Sequence, residues 1–144
     1  MIESDTIKLL RECDAGIKMG TDSIESVIGK VHSPELRSHL DRCRDEHERF
    51  GSEVEMLLGK YGDEGKDPNI MAKTMSDVKT GATLLFDPTD NAIADIMTDG
   101  CNMGVKSLSR YLNQYEAADE SSKDLAKRLI SSELRLVENV RAFL

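Results

Sequence analysis

Two stretches of this 144-residue chain are written on one pattern. GIKMGTDSIESVI begins at Gly16 and GCNMGVKSLSRYL at Gly100, and both read G-x-x-M-G-x-x-S-[I/L]-x-x-x-[I/L]. They lie 84 residues apart (100 − 16). The residues around them keep the same offset: Leu10 with Ala94, Cys13 with Met97, Ile17 with Cys101, Gly20 with Gly104, Ile24 with Leu108. The steps are three and four residues, the period of one helix face turned toward a bundle. A repeat of this kind is an inward helix face used twice rather than a ligand loop. Glycine costs about 1 kcal/mol in a helix interior. Its presence on the seam at Gly20 and Gly104 predicts a close neighbour at both places.

The rest of the chain agrees with helices, since the apolar period stays near 3.6 and never falls to 2. Helix one is expected from about Ser4 to Lys30, with the stripe Leu10, Cys13, Ile17, Gly20, Ile24, Val27, Val31. Ser33 and Pro34 read as cap and first residue of helix two, which carries Leu36, Leu40, Cys43, Glu46/His47, Phe50, Val54 and Leu57 and stops in YGDEGKDP. Residues 69–87 read as a connector with a short helix bearing Met71, Met75 and Val78, followed by Leu84, Leu85 and Phe86. Thr89 or Asp90 caps helix three, with the stripe Ala94, Met97, Cys101, Gly104, Leu108, Tyr111, Tyr115. Ser121 with Asp124 reads as the capping box of helix four, which carries Leu125, Leu129, Ile130, Glu133, Leu136, Val137, Val140 and Phe143. The expected fold is all-α: one domain, 1–144, with a hairpin over 4–62, a crossover over 63–88 and a second hairpin over 89–144.

Composition narrows the function classes. The formal net charge is −8, which disfavours a nucleic-acid partner. Aromatics are 4% and tryptophan is absent, so base- or sugar-stacking platforms are not expected. No apolar run approaches the length of a membrane span, and the N-terminus lacks a signal-peptide pattern, so the expected location is the cytoplasm. Cys13, Cys43 and Cys101 are odd in number and widely spaced, as for reduced thiols.

Hairpin, crossover and hairpin with internal twofold symmetry resembles the ferritin-like superfamily. Within it, the Asp14–Gly20 stretch, the HSPEL link and the DEHERF segment are similar to a small bacterial family of ferritin-like four-helix-bundle proteins. Di-iron members carry a Glu on helices one and three and Glu-x-x-His on helices two and four. The resemblance places Ile17 and Cys101 at the first two positions, Glu46 and Arg49 on helix two, and Glu133 and Leu136 on helix four. Two carboxylates of six ligands remain, too few for a hard di-iron centre. The resemblance therefore implies a degenerate site with no metal and no cofactor. The alternative is iron or manganese held by a reduced set, Glu46, His47 and Glu133.

Glu133 is the sharpest residue, a carboxylate in the middle of an apolar stripe that must be paired, protonated or wet. Arg49 is its expected partner, giving a buried ion-pair cluster of Glu46, Arg49 and Glu133. A thiolate–imidazole site from Cys13, Cys43, Cys101 and His47 would need all four at one level of the bundle; core packing is the simpler reading. His32 and His39 fit solvated positions. The expected function is a non-enzymatic structural or interaction module, associating as a homodimer through the apolar connector, with no nucleic acid and no membrane as partners. The alternative function is a metal-dependent oxidase or iron-handling protein.

Overall fold

A computed structural model of the chain describes residues 2–66 and 89–144, with side chains from residue 5 onward. Among these residues there are four long helices and no strand. They are α1 (Ile2–Ile28), α2 (Pro34–Gly59), α3 (Asp90–Gln114) and α4 (Glu120–Val140), and a 3₁₀ turn closes the chain at Arg141–Phe143. The short helix expected on Met71, Met75 and Val78, and the apolar run Leu84–Phe86, lie outside the described residues.

Local chemistry sets the helix starts. Ser33 is extended, and its hydroxyl accepts from the Leu36 N–H at 3.2 Å. Pro34 follows at N1, where the missing N–H is no loss. Thr89, rather than Asp90, caps α3 by accepting from Ala92 N–H at 3.1 Å. The cap of α4 differs from the sequence expectation: it is Asp119, which accepts from Ser122 N–H at 2.8 Å, and not Ser121. α2 ends at Gly59, and the chain beyond it turns through Gly62 and Gly65, with φ of 66° and 90°. Gly65 brings the backbone back onto α1, where buried Asp14 accepts from the Lys66 N–H at 2.9 Å.

The helices form two antiparallel hairpins, α1–α2 and α3–α4. α2 packs on α4 and α1 on α3, and α1 also meets α4 across the centre. The turn of each hairpin is held by the first helix of the other. Asp90 of α3 accepts from the His32 and Ser33 N–H groups at 2.8 and 2.9 Å. Asp5 and Thr6 of α1 accept from the Ala117 and Asp119 N–H groups at 3.1 and 2.9 Å. These contacts fix the directions: α2 and α3 start at one end of the bundle, α1 and α4 at the other.

The core comes in two parts. At the α2/α3 start it holds Ile24, Leu36, Leu40, Ile93 and Leu136. At the other end it holds Leu10, Ile17, Val54, Leu108 and Leu129. Each fully buried aliphatic side chain contributes about 1.5–3 kcal/mol. On α2 the core line ends on Leu58 rather than Leu57, which is half-buried. Within the repeat, Met103 points outward and is 64% exposed. Its counterpart Met19 is half-buried, so the methionine match is not one of shared burial.

Candidate functional site

Between the two core clusters four residues come together: Gly20 from α1, His47 from α2, Gly104 from α3 and Glu133 from α4. His47 is 1% exposed and Glu133 is 7% exposed. His47 Nε2 lies 3.7 Å from Glu133 Oε1. Nδ1 of the imidazole donates to the Cys43 carbonyl one turn back, at 2.9 Å, and sits 3.6 Å from Cys43 Sγ. Nε2 is thereby left as the nitrogen that faces the carboxylate. The second oxygen of that carboxylate, Glu133 Oε2, is buried without a hydrogen-bond partner among the described residues.

The repeated glycines make room for these two side chains. A Cβ on Gly20 would stand 2.9 Å from His47 Cδ2 and Nε2. A Cβ on Gly104 would stand 2.8 Å from Glu133 Oε1 and 2.9 Å from its Cδ. Each hairpin thus seats its own polar residue against its own glycine, and the two polar residues meet across the seam. Gly16 and Gly100, the other glycines of the repeat, have nothing within 4 Å of such an atom.

Burial works against charge throughout the layer. At His47 burial pulls the pKa down, but the contacts with Cys43 and Glu133 outweigh it and raise the pKa above the usual imidazole range. At Glu133 burial dominates and raises the carboxyl, with His47 offsetting only part of the rise. Burial, with Glu133 and Cys43 nearby, also pushes the Cys101 thiol up. Cys13, buried beside Glu12 and Asp14, is pushed up to about 12. All three cysteines are free and buried.

Arg49 is not brought to Glu133. It is exposed and donates weakly to the Asp45 carbonyl, 3.4 Å away on its own helix. Position 49 is two residues past His47, about 200° around the helix, so it faces away when His47 faces in. Glu46 instead accepts from Arg135 of α4 at 2.5 Å. Burial raises Glu46, but Arg135 and Ser132 outweigh it and hold the carboxyl below its ordinary value. The expected cluster of Glu46, Arg49 and Glu133 is therefore replaced by two separate contacts, Glu133–His47 inside and Glu46–Arg135 at the rim.

A second rim pair lies two turns further along. Arg128 of α4 holds both oxygens of Glu53, at 2.9 and 2.6 Å, with its guanidinium 5.7 Å from the Phe50 ring. Sequence reasoning missed this ladder. Its signal is the matched spacing of seven, Glu46/Glu53 on α2 and Arg128/Arg135 on α4. His39 is half-buried near Glu35, at 3.9 Å, and His32 is exposed.

Among the described residues no group of three or more His, Cys, Asp or Glu side chains is arranged to hold a metal ion. Ile17 and Cys101, where the ferritin-like resemblance asks for carboxylates, sit in the core. No described helix is long and apolar enough to cross a membrane. Comparison with protein-family models, curated proteins and solved structures gives no match to the chain.

Proposed function

We propose that this chain is a non-enzymatic, ferritin-like interaction module whose bundle centre holds helices together in place of a di-iron site. The observation that carries this reading is the poverty of donors at the centre. His47 is tied to the Cys43 carbonyl through Nδ1 and faces Glu133 Oε1 at 3.7 Å. Glu133 lies against Gly104 with its second oxygen unpaired among the described residues. The centre thus offers one imidazole and one carboxylate, too few for a hard di-iron site. Glu46, the remaining acid of the reduced ligand set, is turned to Arg135. The ferritin-like connection is supported by direction: α2 ends and α3 begins at opposite ends of the bundle, as a crossover requires. A cytoplasmic, bacterial homodimer belongs to the same reading; its dimer part rests on connector residues outside those described.

The rival is iron or manganese chemistry on Glu46, His47 and Glu133. Metal analysis of protein purified without chelator separates the two. The module should carry less than about one-tenth of an equivalent of iron or manganese per chain, because two or three donors make a weak hard-metal site. Near-stoichiometric iron would defeat the reading.

A further inference from the structure

Beyond α2 the chain reverses and runs back along α1, toward the end of the bundle where α3 starts. The contacts set this direction: Asp63 meets Arg11, and Lys66 meets Glu12 and Asp14. The stretch Gly62-Asp63-Glu64-Gly65-Lys66 has no apolar side chain, so hydrophobic burial gives it no reason to lie on the helix. Charge holds it there. Arg11 Nε donates to both oxygens of Asp63, at 3.2 and 3.0 Å. Lys66 Nζ donates to Glu12 at 2.5 Å. Past Asp63 the backbone bonds to carboxylates as well: Gly65 N–H donates to Asp63 and Lys66 N–H to Asp14, each at 2.9 Å.

Asp14 is the catch of this arrangement. It is buried beneath Gly65, and the oxygen that takes the Lys66 N–H also accepts from Lys18 Nζ at 2.9 Å. Gly65 fits over it because it has no side chain and a φ of 90°. A Cβ there would stand 3.0 Å from Asp14 Cγ and closer still to Oδ2. Lifting the segment admits water to Asp14 while Lys18, on the same helix, stays beside it. Opening therefore leaves no charge buried alone, the costly outcome for a broken buried pair.

We infer that residues 62–66 form a strap closed by charge, which opens as a unit and bares Arg11, Glu12 and Asp14 of α1 while the four helices stay folded. Ionic strength is its control. The Arg11 and Lys66 side chains are each 46% exposed, so salt screens their pairs, whereas the apolar core has no charge to screen. The inference goes beyond the module reading and does not rest on it.

Amide hydrogen exchange of the full chain tests it residue by residue. Between about 0.01 M and about 1 M sodium chloride the Debye length falls from about 30 Å to about 3 Å. Protection of the Lys66 N–H should fall about tenfold across that range, and the core amides of Leu10, Val54 and Leu129 should keep theirs. A variant with Arg11→Gln and Lys66→Gln, both at exposed positions, should have an open amide at residue 66 already at low salt, with no further response to salt. Gly65→Ala should do the same by forcing a Cβ onto Asp14, with every charge still present. Exchange at residue 66 that occurs only together with the core amides would overturn the inference, since the segment would then belong to the cooperative fold. So would protection that salt does not change, or a strap that stays closed in both variants.

Discussion

At Gly20 and Gly104 the absence of a side chain is the functional property. Adding a methyl there gains about 1 kcal/mol of helix propensity. It also drives a Cβ into a His47 ring held through Nδ1 by the Cys43 carbonyl, or into a carboxylate that faces that ring. Overpacking of this kind costs about 1–3 kcal/mol. Gly20→Ala and Gly104→Ala should therefore each lower stability, whereas Gly100→Ala, which meets nothing, should raise it by up to about 1 kcal/mol. Urea unfolding of the three variants checks the opposite signs. The partners of the glycines make a second test. His47→Leu leaves Glu133 buried without a counter-charge and should cost about 3 kcal/mol. Replacing both by leucine should cost much less than the sum of the single changes. Arg49→Leu should stay within about 0.5 kcal/mol, as for an ordinary surface position. A double-mutant cycle that is additive would place His47 and Glu133 in water. Glu133 was legible in the sequence as a buried acid, because an apolar stripe surrounds it. Its partner was not, because a ligand-spacing template pointed to Arg49 where helix rotation points to His47.

The helices themselves were largely legible, and their ends were legible where a local pattern decides. Ser33-Pro34 states both a cap and a first turn in the chain itself. The start of α4 is ambiguous locally, since Asp119/Ser122 and Ser121/Asp124 are overlapping patterns. A distant contact resolves it: Thr6 of α1 binds the Asp119 N–H and holds that residue extended. Asp119→Ala should therefore cost about 1 kcal/mol, the usual worth of an N-cap, and Ser121→Ala a few tenths at most. Thermal unfolding of the two variants distinguishes them, and a larger loss at Ser121 would restore the other start. The Glu46/Glu53 and Arg128/Arg135 ladder was hidden for a related reason. Each half is an ordinary i, i+7 spacing of charges on one helix. Only the adjacency of α2 and α4 makes them pairs, and adjacency is a property of the assembled bundle.

For the molecule as a whole, the repeat at 84 residues was enough to expect two alike hairpins, because symmetry of an inward face survives where individual contacts cannot be read. What it leaves open is the content of the centre, and there the pH dependence of stability is the most direct measurement. The folded-state pKa of His47 lies above its ordinary value of 6.5, so its contribution is fully present below 6.5 and is lost as pH rises through the folded value. Glu133 is also raised, above 4.5; its contribution is present at low pH and likewise declines as pH rises. The two act in the same direction, and folding takes up protons. Glu46 and Asp63, both lowered, act oppositely, but only toward acid, where they lose their contacts with Arg135 and Arg11. The raised thiols Cys13 and Cys101 begin to matter only above their ordinary value of 9.0. Between pH 6.5 and 8.5 the central layer is therefore isolated. Stability of the unaltered chain should fall across that interval by up to about 1.4 kcal/mol per pH unit, the equivalent of one proton. The chain with both His47→Leu and Glu133→Leu should stay nearly flat, since the layer then has nothing to titrate. Urea midpoints at half-unit steps of pH would show it. Equal slopes in the two chains would mean that His47 gains no proton affinity on folding and that the pair at the centre is not a charge pair.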